Sequence, residues 1–229
     1  MLRNTLSITL YNLATFPIPV IVALLINEIR SKWFKKTVQM ISYAPHFLST
    51  VVLCGMILLF LNRSNGIVNN IIALFGGERI DFMARPEMFS SIYVWSGVWK
   101  SVGWGTVIYL APLSNVSPEL IEAVKIDGGN KLHIIKHVNI PAILPTSVIL
   151  FILSTGNILS LGYEKILLLQ NDLNLERSRV ISTYVYEIGL VAGQMSYSTA
   201  INLFNNVVNL IVLTIVNFIA RKVSEVSLW

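Results

Sequence analysis

The sequence predicts an all-α, polytopic membrane protein, and three observations carry that prediction. First, 54% of the 229 residues are hydrophobic and only 13% are charged, with a mean hydropathy of +0.67, whereas a soluble domain carries about 25% charged residues. Second, the apolar residues fall in five long stretches, at about 5–26, 38–61, 92–113, 142–161 and 196–220. Each is near the roughly 20 residues a helix needs to cross the hydrocarbon core. Third, Lys and Arg cluster in the short segments between those stretches, as topology signals do. The net charge of +5 therefore points to a lipid bilayer and not to nucleic acid, because the basic residues form no continuous stripe.

The first stretch begins almost at Met1, without the short apolar region and small-residue cleavage site of a signal peptide, and is expected to be a true span. Orientation follows from the loops. Arg30, Lys32, Lys35, Lys36, Lys125, Lys131, Lys136, Arg221 and Lys222 lie on one side, nine basic residues against the five acidic Glu28, Glu119, Glu122, Asp127 and Glu225. On the other side seven basic residues balance seven acidic ones. The first group is expected in the cytoplasm. The chain then starts outside, so a further N-terminal span with a cytoplasmic start is expected to precede it.

Pro17 and Pro19 interrupt the first stretch, Pro45 the second and Gly156-Asn157 the fourth. Breaks of this kind are tolerated where helices bend or line a cavity. Between the second and third stretches, 62–90 carries the turn signals Asn65-Gly66, Gly76-Gly77 and Arg85-Pro86 around the apolar piece 67–75, which predicts an outside hairpin or surface helix. In 162–195, the pieces 163–170 and 180–190 are too short to span and are expected at an external vestibule. The single cysteine, Cys54, lies inside an apolar run and reads as structural.

The segment 114–141, between the third and fourth stretches, is the most informative. Ser117 can cap a helix, with Pro118 in its first turn and Glu119 and Glu122 near the positive end of its dipole. Gly128-Gly129 supplies the left-handed turn that ends it. A second helix begins near Asn130, carries Leu132, Ile135 and Val138 at three-residue spacing, and is expected to stop at Pro141. Short helices with an apolar stripe and a fixed turn suit a groove on a partner. The bland reading is a capped, solvated connector.

Glu122-Ala123-Val124, Asp127-Gly128-Gly129, Val138 and Ile140-Pro141 closely resemble the E-A-A, D-G-A and I-x-L-P signature of binding-protein-dependent ABC importer permeases, at the same spacing. Val124 and Gly129 stand where that family usually has Ala, Ile135 where it often has Phe, and Val138 and Ile140 where it usually has Ile and Leu. Gly129 is expected to loosen the turn. Asn-Glu-Ile-Arg at 27–30, Tyr43-Ala-Pro-His-Phe, Gly103-Trp-Gly, Leu153-Ser-Thr-Gly-Asn and Ile181-Ser-Thr-Tyr-Val-Tyr are similar to the sugar-importer branch, and within it to the oligo- and polysaccharide permeases of the LplB type. The resemblance covers essentially the whole chain, although the family usually has six spans where five are counted here.

The resemblance implies an ABC importer type I permease fold, a single permease domain over 1–229, and a place in the bacterial plasma (inner) membrane. It implies as partners a second permease subunit, two ATPase subunits that receive the loop, an extracellular solute-binding protein and a sugar substrate. Glu122, Ala123, Asp127, Gly128, Gly129, Ile140 and Pro141 become the coupling residues. No G-x-x-x-x-G-K-[S/T] phosphate loop occurs, so the chain is expected to be driven by ATP hydrolysis elsewhere and not to be an enzyme.

For the substrate path the candidates are Asn202, Asn206, Asn209, Lys100 and Tyr163. Asn202, Asn205, Asn206, Asn209 and Asn217 share about a 120° arc of one helix. Amides there either pair with sugar hydroxyls or bind neighbouring helices, and packing is the favoured reading. Lys100 lies about nine residues into the third stretch, at roughly 1.5 Å rise per residue near the midplane, where a lysine marks function. The alternative is a span that starts later, with Trp95 and Trp99 as interface anchors. Trp99, Trp104, Tyr109 and Tyr163 are either sugar-stacking residues or members of an aromatic belt. His46, His133 and His137 show no metal-ligand clustering, and no cofactor is implied. A membrane enzyme would need acids, His or Cys converging within the spans, and a secondary transporter would need an internal repeat and midplane acids; neither pattern is present.

Overall fold

The computed structural model describes residues 1–224 and 226–229; Glu225, counted above on the cytoplasmic side, lies outside the described residues. Thirteen α-helices are formed among them: α1 Leu2–Ala14, α2 Pro17–Asn27, α3 Lys32–Tyr43, α4 Thr50–Phe60, α5 Ile67–Leu74, α6 Pro86–Ser114, α7 Pro118–Ile126, α8 Lys131–Ile134, α9 Ile140–Thr155, α10 Tyr163–Leu169, α11 Leu175–Ser178, α12 Ile181–Tyr186 and α13 Met195–Ser224. Leu2–Asn27, Lys131–Thr155 and Met195–Ser224 are long and apolar enough to cross a membrane. A fourth candidate is the pair Lys32–Phe47 and Thr50–Phe60, bent by 100°. The remaining expected stretch, 92–113, lies in α6, whose 29 residues suffice in length. Its Ser, Gly and Trp residues and Lys100 make it less apolar than the other spans.

The prolines act differently in each place. Pro17 opens α2, where no backbone donor is needed, and Phe16 keeps helical angles, so α1 and α2 form one 26-residue span. In the second stretch the chain turns through the 3₁₀ segment Ala44–Phe47, and Ser49, in an extended conformation, caps α4 by accepting from the Val52 N–H at 3.2 Å. The stretch 38–61, expected to be interrupted at Pro45, is thus two helices.

The chain forms two compact units. One comprises Met1–Leu13, Phe47–Val98 and Asn157–Leu210. Its core is Ile8, Cys54, Phe89, Val94, Ile166, Leu169 and Val180, and Cys54 is buried as a free thiol. Its loops are pinned by buried amides. The Asn69 side chain donates to the Asn62 and Ile80 carbonyls at 3.0 and 2.9 Å and accepts from the Ile80 N–H at 2.7 Å. This holds α5 as a short helix over the apolar piece expected at 67–75. Asn174 likewise donates to the Leu169 and Met83 carbonyls.

The other unit comprises Ala14–His46, Trp99–Gly156 and Ile211–Trp229. Ala23, Tyr109, Leu113 and Ile143 form its core. Close helix approach through small residues replaces the hydrophobic driving force that lipid removes. A Cβ on Gly105 would meet Pro19 at 3.2 Å, one on Gly156 would meet Leu213 at 2.4 Å, and one on Gly103 would lie 2.0 Å from the Ser42 carbonyl oxygen. Ile211, Ile215, Phe218 and Ile219 on α13 are each more than half exposed, as lipid-facing residues are.

Candidate functional site

The segment 114–141 forms the expected helix, turn and helix. Ser117 is extended and accepts from the Glu119 N–H at 3.3 Å, with Pro118 in the first turn of α7. At the other end Gly128 takes φ +76°, which an L-residue adopts only with strain. The Gly129 N–H then reaches the Val124 carbonyl at 2.8 Å and the Gly128 N–H the Lys125 carbonyl at 3.1 Å, the two bonds of a Schellman turn. Gly129 does not loosen it. A Cβ there would stand 2.5 Å from Val124 Cγ1, so the larger Val124 and the smaller Gly129 compensate one another.

Beyond the turn, Asn130 caps α8 by accepting from the Leu132 and His133 N–H groups at 2.9 and 3.1 Å, while His133 Nδ1 accepts from the Asn130 N–H at 3.2 Å. The helix does not stop at Pro141, contrary to expectation. A π turn over Ile135–Asn139 carries it into α9, giving a 25-residue span, Lys131–Thr155. The wider turn accommodates a proline that has no N–H and would crowd the carbonyl four residues back. It also alters the face expected from three-residue spacing. Ile134, Val138 and Asn139 are buried, whereas Leu132 is 72% exposed. Glu122, Ala123, Asp127 and Gly128 are exposed and Gly129 is half-buried; Ile140 and Pro141 are exposed on the span. Lys131 Nζ lies 3.7 Å from Glu28 Oε2, just past the end of α2.

The path candidates separate into different surroundings. Asn209 is buried. Its Oδ1 accepts from the Leu159 N–H at 3.0 Å and its Nδ2 donates to Ser160 Oγ at 2.8 Å. Asn217 is buried and accepts from the Leu228 N–H at 2.8 Å. These are packing bonds. Asn202 and Asn206, one turn apart, are exposed. Tyr163 stacks on Tyr186 with centroids 5.0 Å apart and stays 45% exposed. Lys100 is half-buried at the middle of α6. Trp104, one turn on, stacks on His46 with centroids 4.9 Å apart and planes 6° apart. Among the described residues no group of His, Cys, Asp and Glu suits a metal ion.

Residues 15–225 match the family described as "Binding-protein-dependent transport system inner membrane component". The chain belongs to that family. Along its whole length the permease is 42% identical to the Bacillus subtilis polygalacturonan/rhamnogalacturonan transport system permease protein YteP and 37% identical to Bacillus subtilis protein LplB, spanning 72% of each. It is also similar to a chain in the crystal structure of a bacterial ABC transporter involved in the import of the acidic polysaccharide alginate, with a TM-score of 0.93 and 38% identity over 97% of this permease and 78% of that chain. The permease is therefore an inner-membrane, multi-pass subunit with the all-helical ABC importer permease fold.

Sequence reasoning missed three features of the site. Asn130 with His133 three residues on is a legible cap, with His in the place where a capping box usually has Glu or Gln. The pairing of Glu28 with Lys131 joins residues far apart in sequence and leaves no local signal. Gly103, placed between Val102 and Trp104 inside a span, was a sign of close backbone approach, read only as part of a motif.

Proposed function

We propose that the permease forms half of a translocation pathway for an oligo- or polysaccharide. In this reading residues 1–229 act as one permease domain beside a second permease subunit. An extracellular binding protein delivers the cargo, and two separate ATPase subunits drive transport by gripping 114–141. The observation that carries the reading is the loop itself. It is a capped helix ended by a fixed turn and joined without interruption to a membrane span, so a push on the turn reaches the span as a rigid displacement. Leu120, Ile126 and Leu132 are 55%, 84% and 72% exposed. Such residues at a cytoplasmic projection mark a surface that a partner covers. Glu122, Ala123, Asp127, Gly128 and Gly129 form and stop the docking helix, and Ile140 and Pro141 carry the motion into α9. The saccharide class is supported by the names of the relatives and by exposed amides and aromatic rings, Asn202, Asn206 and Tyr163, of the kind that pair with hydroxyls and stack on sugar rings.

The test is ATP hydrolysis by the complex in lipid, with and without the binding protein. Glu122→Ala combined with Gly128→Pro removes the acid from the docking helix and imposes φ near −65° where the turn needs +76°. The variant is expected to insert in the membrane and lose stimulated hydrolysis or assembly. Unchanged stimulation would remove the coupling assignment.

A further inference from the structure

Shortly after the candidate span Leu2–Asn27 ends, Ser31 takes an extended conformation and accepts from the Phe34 N–H at 3.3 Å, which starts α3, Lys32–Tyr43. Every residue of this helix is exposed or half-buried. One side of it is used by the protein, since the Ser42 backbone lies against α6 where Gly103 admits it. The other side carries Trp33, Phe34, Thr37, Met40 and Ile41 within about a 120° arc. Trp33 is 76% exposed, and Phe34, Met40 and Ile41 are each more than half exposed. Lys32 and Lys36 flank this stripe and Arg30 precedes it, all three exposed.

The order of residue types along the stripe points to its occupant. Met40 and Ile41 belong to Lys32–Phe47, one arm of a candidate span, where exposed apolar side chains meet lipid. Trp33 continues the same stripe roughly 10 Å away along the helix, at its basic end. An indole has an apolar body and one N–H donor, and so favours the boundary between hydrocarbon and headgroups. Lysine and arginine beside it reach phosphate from that level, their stems lying along apolar surface. The acid nearest in sequence, Glu28, stands 3.7 Å from Lys131, so it is engaged elsewhere and leaves the positive charge of Arg30, Lys32 and Lys36 to the surface. An apolar stripe with tryptophan and phenylalanine, flanked by cations, is the pattern of helices held at an anionic lipid surface. A soluble partner could meet the cations but not the end of the stripe that lies in a span.

We propose that α3 is an interfacial anchor that binds anionic phospholipid, with Trp33 and Phe34 among the uppermost acyl carbons and Arg30, Lys32 and Lys36 on headgroup phosphates. Glu28, two residues before Arg30, pairs with Lys131, so lipid held at this site stands beside the start of the span Lys131–Thr155. The site depends on the membrane setting of the permease and not on which cargo it carries.

The experiment reconstitutes the assembled complex in phosphatidylcholine nanodiscs containing a trace of phosphatidylglycerol with a photoreactive group at the top of one acyl chain. Crosslinks to residues 30–41 are mapped by mass spectrometry while unlabelled lipid competes. Phosphatidylglycerol is expected to compete at least about tenfold better than phosphatidylcholine, since each cation near an anionic surface contributes about a fivefold preference. Arg30→Gln, Lys32→Gln and Lys36→Gln together are expected to make the two lipids equal competitors, whereas Lys32→Arg with Lys36→Arg keeps the preference. Glycerol phosphate, which lacks acyl chains, is expected not to compete. Equal competition in the native complex, or a preference that survives the triple substitution, would overturn the proposal. So would displacement by glycerol phosphate, which would make this a site for soluble phosphate. Labelling of 30–41 in the isolated permease that disappears in the complex would overturn it too, by assigning the stripe to a protein subunit.

Discussion

Two proline-bearing segments of the permease end in opposite structures. At 44–49 the chain runs through Pro45 and turns by 100° between Lys32–Phe47 and Thr50–Phe60. At 135–145 it runs through Pro141 and Pro145 and continues as one 25-residue span. Proline alone therefore does not decide whether a span breaks. What differs is the residue able to start a new helix and the space to receive a bend. Ser49 is extended and satisfies the Val52 N–H of α4, and Gly103 leaves room for the Ser42 backbone. The second segment has neither. Asn139 is helical and provides no side-chain cap, and the π turn over Ile135–Asn139 absorbs the missing bond. In the proposed coupling reading the two segments differ in use: the continuous rod would carry displacement from the loop, while the break puts irregular backbone inside a candidate span.

The most damaging way to test the comparison is Gly103→Val. A Cβ there would stand 2.0 Å from the Ser42 oxygen, backbone that cannot rotate aside. Overpacking of this kind costs about 1–3 kcal/mol, occasionally more, and the upper end is expected. The readout is yield and apparent Tm of the purified complex. A variant as stable as the native protein would mean that the bend does not depend on this approach. A smaller effect separates the cap from the proline. Ser49→Ala is expected to cost about 1 kcal/mol through loss of the cap, and Pro45→Ala less than about half of that, since Pro45 lies at the start of a 3₁₀ turn that needs no backbone donor at that position. Thermal unfolding of the two variants side by side decides the matter; a larger loss for Pro45→Ala would return the break to the proline.

The same contrast explains what could be read from the sequence. The loop was legible because its signals are local. Ser117, Pro118, Gly128 and the residues between them each act on backbone within a few positions, and the structure places the helix and its turn where that chemistry puts them. The two short pieces within 162–195 were also legible as helices that do not span, since length alone forbids it. Pro45 marked the break in the second stretch but not its 100° size, because Gly103 and Ser42, which approach closely there, are partners about 60 positions apart. Pro141 was misread for the same reason: a stop signal in one dimension is overridden when the span continues from the other side. On α13 the asparagines share a helical arc, but the arc cannot tell Asn209, bonded to Leu159 and Ser160, from Asn202 and Asn206, which are exposed.

The smallest expected effect concerns the start of the rod. Lys131 opens α8 and lies 3.7 Å from Glu28, with side chains 62% and 28% exposed. A pair so open to solvent contributes about 0.2–1 kcal/mol at most and is weakened by salt. Glu28→Gln should therefore barely move the Tm. If the continuous rod is the coupling element, however, the pair fixes where the loop stands relative to the end of α2, and its loss should appear as futile hydrolysis: ATPase activity in the absence of the binding protein rises while transport per ATP falls. Adding salt to the native complex should reproduce the change, and reversing the charges with Glu28→Lys and Lys131→Glu together should remove it. If uncoupled hydrolysis stays at the native level in Glu28→Gln, the rod is positioned by its buried residues Ile134, Val138 and Ile143 alone, and the ion pair is only a feature of the surface.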